Sequence, residues 1–326
     1  MDFTELRHLA EQIETECGKA IIGKGEQIRL VLTSLFAGGH VLIDDIPGVG
    51  KTTLVKALSA VLGCGMVRVQ FTPDLLPSDI VGMNIYSQKT GEMVFTPGPI
   101  MTNILLADEI NRAIPRTQSA LLEAMEERQV TVDGRPLPLP RPFLVLATQN
   151  PVEMESTFPL PAAQLDRFFL CLSLGYPDAA QEAAMLESQG SGQGFEGVRT
   201  VAGPADLIDC QKAVEQVTVS EEVRRYIVAL VEATRRHPGL RLGASPRGSL
   251  CLYRGAKAWA AMAGRDYVLP DDVKALVKPV LAHRLVLTGE ARFAGAEAGS
   301  ILEEILAATP VPPQGEEALL HEQARG

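Results

Sequence analysis

Between residues 42 and 53 the chain reads LIDDIPGVGKTT. Gly50, Lys51 and Thr52 match the end of a phosphate-binding pattern, Gly, four residues, Gly-Lys-Ser/Thr, while Asp45 stands where that pattern has its first Gly. The backbone amides of residues 48 to 52 are expected to converge on a β-phosphate at a helix N-terminus, with Lys51 bridging the β and γ groups and Thr52 holding Mg²⁺. The nucleotide-binding candidates are therefore Pro47, Gly48, Val49, Gly50, Lys51, Thr52 and Thr53. Gly48 and Gly50 permit close backbone approach. Like charges at about 4 Å repel by about 4 kcal/mol at an effective dielectric of 20, so Asp45 has to point away from any bound phosphate. The stretch alone also suits a Gly-rich strand-to-helix turn without ligand.

Four further stretches extend the chemistry. ILLADE places Asp108 and Glu109 after four apolar residues, at the C-terminal edge of a buried strand, where open α/β sheets bind ligands. Asp108 suits a Mg²⁺ shell and Glu109 a base that orients or deprotonates an attacking water. In ATQNP, Asn150 can both donate to a γ-phosphate oxygen and accept from water. QLDRF supplies Arg167, whose charge can neutralise a transferring phosphate. GASPRG puts Arg247 in a first helical turn behind a Ser245 cap, where its charge opposes the helix dipole unless an anion offsets it. Each has a plain structural alternative: a solvated acidic turn, an Asn-Pro strand end, an Asp166–Arg167 surface pair, a casual surface arginine.

These groups need a scaffold, and the first half of the chain provides one. Short apolar runs, HVLID, VRVQF, NILLADE, FLVLATQN and FFLCLSL, alternate with helical patterns and predict an α/β fold with a parallel sheet. The phosphate-loop stretch joins the first run to the helix KTTLVKALSAVLG, which Gly63 can close. Two predicted hairpins interrupt the pattern, one turning at residues 88 to 91 and one at Asp133-Gly134, with Pro136 and Pro138 confining the second return strand to an edge. Beyond residue 178 strand signals stop, and a Gly/Ser stretch at 188–197 reads as a loop. Helical patterns then dominate, started by Ser220, Ser245 and Pro270-Asp271. The expected division is an α/β core at 1–176, an all-helical domain at 177–310 and a loose tail at 311–326.

Composition narrows the partners. The net charge of −10, with 30 Lys+Arg against 40 Asp+Glu, argues against broad nucleic-acid backbone binding. No apolar stretch reaches the length of a membrane span, and the acidic, helix-patterned N-terminus is unlike a signal peptide, so a cytoplasmic protein is expected. Five widely spaced cysteines, Cys17, Cys64, Cys171, Cys210 and Cys251, suggest small core residues rather than a disulfide or metal framework.

The phosphate loop, LLADEINRA, QSALLEAMEERQVTV, ATQNP, QLDRF and GASPRGSL occur in one order, and in this the chain resembles the MoxR family of AAA+ ATPases over nearly its whole length. The resemblance implies an AAA+ P-loop core with a helical lid, a ring usually of six copies, and ATP hydrolysis with Mg²⁺ at subunit interfaces. By matching position, Lys51 and Thr52 look like Walker A residues, Asp108 and Glu109 Walker B, Asn150 sensor one, Arg167 a finger acting on a neighbour, and Arg247 sensor two. Ile22 and Gly23 resemble the segment lining the adenine pocket. The hairpins resemble insertions that face the ring pore. Members of the family act on protein clients in a chaperone-like way, often with von Willebrand A-domain partners and sometimes in metal insertion; such a partner would be a separate protein. A nucleic-acid motor on the same core, a P-loop GTPase or small-molecule kinase, and a nonhydrolysing scaffold are the alternatives. The missing Asn-Lys-x-Asp signature counts against the GTPase.

Overall fold

The computed structural model describes residues 1–89, 91–150, 157–190 and 197–312. Thr90 at the first hairpin tip, most of the Gly/Ser stretch and all but residues 311 and 312 of the expected tail lie outside them. The chain divides into two compact units, Leu9–Ile208 and a second made of Met1–His8 with Asp209–Gly326. No helix among the described residues is long and apolar enough to cross a membrane.

The first unit is built on nine strands: β1 Val41–Asp44, β2 Met66–Gln70, β3 Gly82–Ser87, β4 Glu92–Pro97, β5 Ile104–Asp108, β6 Gln129–Val132, β7 Arg135–Pro138, β8 Leu144–Gln149 and β9 Leu170–Leu172. Five of them form one parallel sheet in the order β2-β5-β8-β1-β9. All five are the apolar runs of the sequence. The inner strands β5 and β8 are buried on both faces and read as nearly continuous apolar stretches, whereas β2 at one edge alternates with Arg68 and Gln70.

The register sorts the two faces. Leu42, Leu105, Ala107, Val145 and Ala147 enter one core with Leu121, Leu122 and Met125 of the helix Pro115–Glu127. The alternate residues Ile43, Leu106 and Leu146 are equally buried, as are Leu54, Leu58 and Val61 of the helix Lys51–Val61. Arg68 pairs with Leu106, Gln70 with Asp108 and Thr148 with Ile43. Pleat alternation therefore puts Arg68, Gln70, Asp108 and Thr148 on one face, near the C-terminal edge.

The two hairpins form where their turns predict, as separate two-stranded sheets β3-β4 and β6-β7. Asp133 and Gly134 both have positive φ, 50° and 77°, as a two-residue primed turn requires. Within the first hairpin, Ile85, Tyr86, Met93 and Val94 are exposed.

The second unit contains the helices Glu221–Arg236, Pro246–Met262, Pro270–Leu281 and Ala298–Ala308. The Ser220 and Ser245 hydroxyls accept bonds from the amides of Val223 and Arg247 at 3.3 and 3.1 Å, as N-caps. Helix Pro270–Leu281 starts differently: the Asp272 carboxylate accepts from the Leu269 amide at 2.7 Å while pairing with Arg265 at 2.6 Å. The unit is not wholly helical. Strands β10 Leu240–Leu242 and β11 Val286–Leu287 pair antiparallel, each too short to show a period-two pattern.

Candidate functional site

The C-terminal edge of the five-stranded sheet opens into a pocket of about 390 Å³. Pro47, Gly48, Gly50, Lys51, Thr52 and Thr53 line one side, and Arg68, Gln70, Asp108, Glu109, Thr148 and Asn150 the other. Gly48 and Gly50 hold φ of 85° and 94°, in the left-handed region that favours glycine. A Cβ on either would meet no protein atom within 4 Å, so their backbone faces open space. The 11-residue helix Lys51–Val61 begins directly after Gly50, presenting unpaired first-turn amides and the positive end of its dipole there.

Asp45 is turned out of this cradle. Its side chain is 6% exposed; Oδ2 accepts from the amides of Leu174 at 2.6 Å and Gly175 at 2.9 Å, and Oδ1 from the amide of Ile46 at 2.9 Å. An acid at the glycine position is thus a cap on the exit of β9. Its carbonyl accepts a 2.5 Å bond from Lys51 Nζ, which lies 3.4 Å from the Gln149 carbonyl. Burial pulls the Lys51 ammonium below its usual pKa, and the carboxylates of Asp45, Asp108, Asp44 and Glu109 oppose that shift.

The two acids are held by residues from neighbouring strands. Thr148 Oγ1 donates to Asp108 Oδ1 at 2.6 Å and accepts from the Glu109 amide at 2.8 Å. Arg68 donates Nε and Nη2 to Asp108 Oδ2 at 3.0 and 2.7 Å. Glu109 Oε2 accepts from Gln70 at 2.7 Å and from Arg112 at 3.1 Å. Glu109 itself has φ 56° and ψ 51°, a left-handed conformation that costs an L-residue roughly 1–2 kcal/mol. The strain aims its side chain away from the strand's own alternation and into the pocket, a conformation typical of functional positions.

Thr148, Arg68 and Gln70 are additions that the motif reading does not contain. Their sequence signals are a Thr one residue before the end of an otherwise apolar strand and the polar alternation Arg68, Gln70 in VRVQF. Of the expected residues, Asn150 is 5% exposed and lines the pocket directly after β8. Val49 does not line it. Ile22 and Gly23 form the turn between the helices Phe3–Ala20 and Gly25–Phe36; Gly23, at φ 74°, packs so closely on Gln181 that a Cβ would fall 2.3 Å from its side chain. Arg167 lies outside the lining, with Nη1 3.3 Å from Glu126 Oε2. Arg247 belongs to the other unit, in the first turn of the helix Pro246–Met262.

This donor set fits a nucleoside triphosphate with a hard divalent cation. First-turn amides and Lys51 suit phosphate oxygens, while the Thr52 hydroxyl and the Asp108 carboxylate are the oxygen donors that Mg²⁺ takes.

Comparison with known proteins agrees with the geometry. Residues 40–170 match the model of the ATPase family associated with various cellular activities (AAA), and residues 232–305 match the AAA lid domain. The chain is 48% identical over 310 residues to the uncharacterized protein YeaC of Bacillus subtilis, covering 95% of this chain and 97% of that one. It is 41% identical over 293 residues to Chaperone MoxR1 of Mycobacterium tuberculosis, covering 87% of this chain and 77% of the relative. A crystal structure of a candidate ATPase from Cytophaga hutchinsonii superposes with a TM-score of 0.89 at 38% identity, over 95% of this chain and 97% of that one. With the phosphate loop, the paired acids and Asn150 gathered at one sheet edge and a helical unit following, this chain belongs to the MoxR family of AAA+ ATPases.

Proposed function

We propose that the chain works as a ring, usually of six copies, that hydrolyses Mg²⁺-ATP at subunit interfaces to remodel or activate a protein client. The observation that carries this reading is the convergence of Lys51, Thr52, Asp108, Glu109 and Asn150 on one pocket. The loop amides and Lys51 bind and orient the phosphates, and Thr52 and Asp108 hold the cation. Mg²⁺ held by Thr52 and Asp108 would supply charge neutralisation to the phosphates. Glu109 accepts a proton from the attacking water as its oxygen bonds to the γ-phosphorus and the β–γ bridging bond breaks, giving ADP and phosphate. Asn150 orients water and γ-phosphate together. Ile22 and Gly23 wall the adenine end, with the loop residues Pro47, Val49 and Thr53 completing the binding segment.

Arg167 stands outside this pocket on its own subunit, which suits a finger offered to a neighbour's ATP. Arg247 is the second arginine of this reading, acting on the nucleotide of its own or of a neighbouring subunit. The relative named Chaperone MoxR1 supports a protein client, reached directly or through a separate von Willebrand A-domain protein. The net charge of −10 weighs against a nucleic-acid track.

Subunit mixing tests the interface. Arg167→Ala and Lys51→Ala proteins, each inactive alone, should regain part of the phosphate release when combined, because a mixed ring contains interfaces built from both intact halves. Confirmed mixed rings without recovery would place Arg167 in its own subunit's chemistry.

A further inference from the structure

Both carboxylate oxygens of Asp108 carry hydrogen bonds. Thr148 holds Oδ1 at 2.6 Å, and Arg68 holds Oδ2 through two donors at 3.0 and 2.7 Å. Thr148 is buried in the sheet and bonds the Glu109 amide as well, so that contact is part of the scaffold. Arg68 is different. It lies on β2, an edge strand, its side chain is 49% exposed, and it also donates Nη2 to Gln70 Oε1 at 3.1 Å. The guanidinium can swing into solvent at little cost, whereas Thr148 cannot. Arg68 also lines the same pocket as Thr52, the other oxygen donor for the cation.

A divalent cation, or the water in its shell, needs a lone pair of Asp108, and the oxygen that can be vacated is Oδ2, held by the half-exposed Arg68 rather than by the buried Thr148. We propose that Arg68 is a positioning residue of the metal site, whose guanidinium competes with the divalent cation for Asp108 Oδ2 and thereby sets the affinity for that cation. Nucleotide alone leaves Arg68 on Asp108; cation with nucleotide displaces it, and the freed positive charge stays within the pocket rim. This inference rests on the Mg²⁺-ATP reading of the pocket.

The test separates competition for one oxygen from a general change of charge. Mn²⁺ is titrated into protein loaded with a slowly hydrolysed ATP analogue, and free Mn²⁺ is read from its electron paramagnetic resonance signal. A fluorescent ATP analogue, bound with the cation chelated, reports the nucleotide site independently. Arg68→Gln should bind Mn²⁺ about threefold to tenfold more tightly, the range expected when a half-exposed ion pair no longer has to be broken. Arg112→Gln removes an equal charge from Glu109 rather than Asp108 and should move the affinity by less than about twofold. Arg68→Lys keeps the charge but loses the planar fork, so it should fall between the parent and Arg68→Gln, and serves if the Gln variant folds poorly.

Unchanged or weaker Mn²⁺ binding in Arg68→Gln, with the nucleotide signal intact, overturns the inference alone. Equal tightening by Arg112→Gln overturns it too, since charge and not the shared oxygen would then be the cause. Loss of the nucleotide signal in every protein, parent included, would instead overturn the reading of the pocket on which it stands.

Discussion

Asp45 Oδ2 lies 2.6 Å from the backbone nitrogen of Leu174, tying the entry of the phosphate loop to the exit of the last sheet strand. The same oxygen takes the Gly175 amide, and Lys24 Nζ donates to the Leu174 carbonyl at 2.5 Å from the other side. The acid that departs from the loop pattern is a brace for the turn beside it. Its charge is spent on amides, which removes the repulsion that a phosphate-facing carboxylate would exert.

Asp45→Gly should therefore act on stability more than on ligand. Removing the carboxylate leaves the amides of Leu174, Gly175 and Ile46 without that partner, a loss of at least about 1–3 kcal/mol, visible as a lower denaturation midpoint. ATP affinity should change by less than about tenfold, the equivalent of 1.4 kcal/mol. A far larger gain in affinity, measured by calorimetry, would mean that the native carboxylate does reach the phosphates.

Thr148→Val should bind nucleotide nearly as the parent does but turn it over more slowly. The hydroxyl fixes both the Asp108 carboxylate and the Glu109 backbone without touching substrate, and loss of such a support costs about 10- to 100-fold. Steady-state phosphate release is the measurement, and a parental rate would show that the strained Glu109 backbone holds itself.

The β3–β4 hairpin is the surface we propose for a client contact. Tyr86 and Met93 are cross-strand partners, 60% and 61% exposed, on an insertion that completes no part of the main sheet. Tyr86→Ser with Met93→Ser should leave basal ATP turnover unchanged and abolish its stimulation by client. Equal stimulation of parent and variant by a verified client protein would move the contact elsewhere; stimulation by single-stranded nucleic acid alone would favour a nucleic-acid motor.

Much of this architecture is written locally. The parallel strands show as runs rich in apolar residues, and Asp133-Gly134 marks its hairpin because few other residue pairs tolerate two positive φ values. Lys51, Thr52, Asp108, Glu109 and Asn150 are readable because each ends or follows a strand whose edge can be placed. The contacts around them are not local. Arg68 meets Asp108 only because β2 lies beside β5, and Thr148 meets Asp108 because β8 lies on the other side, an order that runs of apolar residues do not specify. The partner of Asp45 is likewise 129 residues away in the chain. Strands β10 and β11, three and two residues long, are too short for any periodicity, so the second unit reads as all helix.

The account turns on Glu109 as the base that activates water. Glu109→Gln keeps the shape, the Gln70 and Arg112 neighbourhood and the cation donors, but a neutral amide cannot take the proton. Binding of ATP and its steady-state hydrolysis, measured side by side on this variant, decide the matter: ATP affinity within about threefold of the parent and turnover lowered by at least about 100-fold are expected. Hydrolysis at the parental rate with binding intact would contradict it.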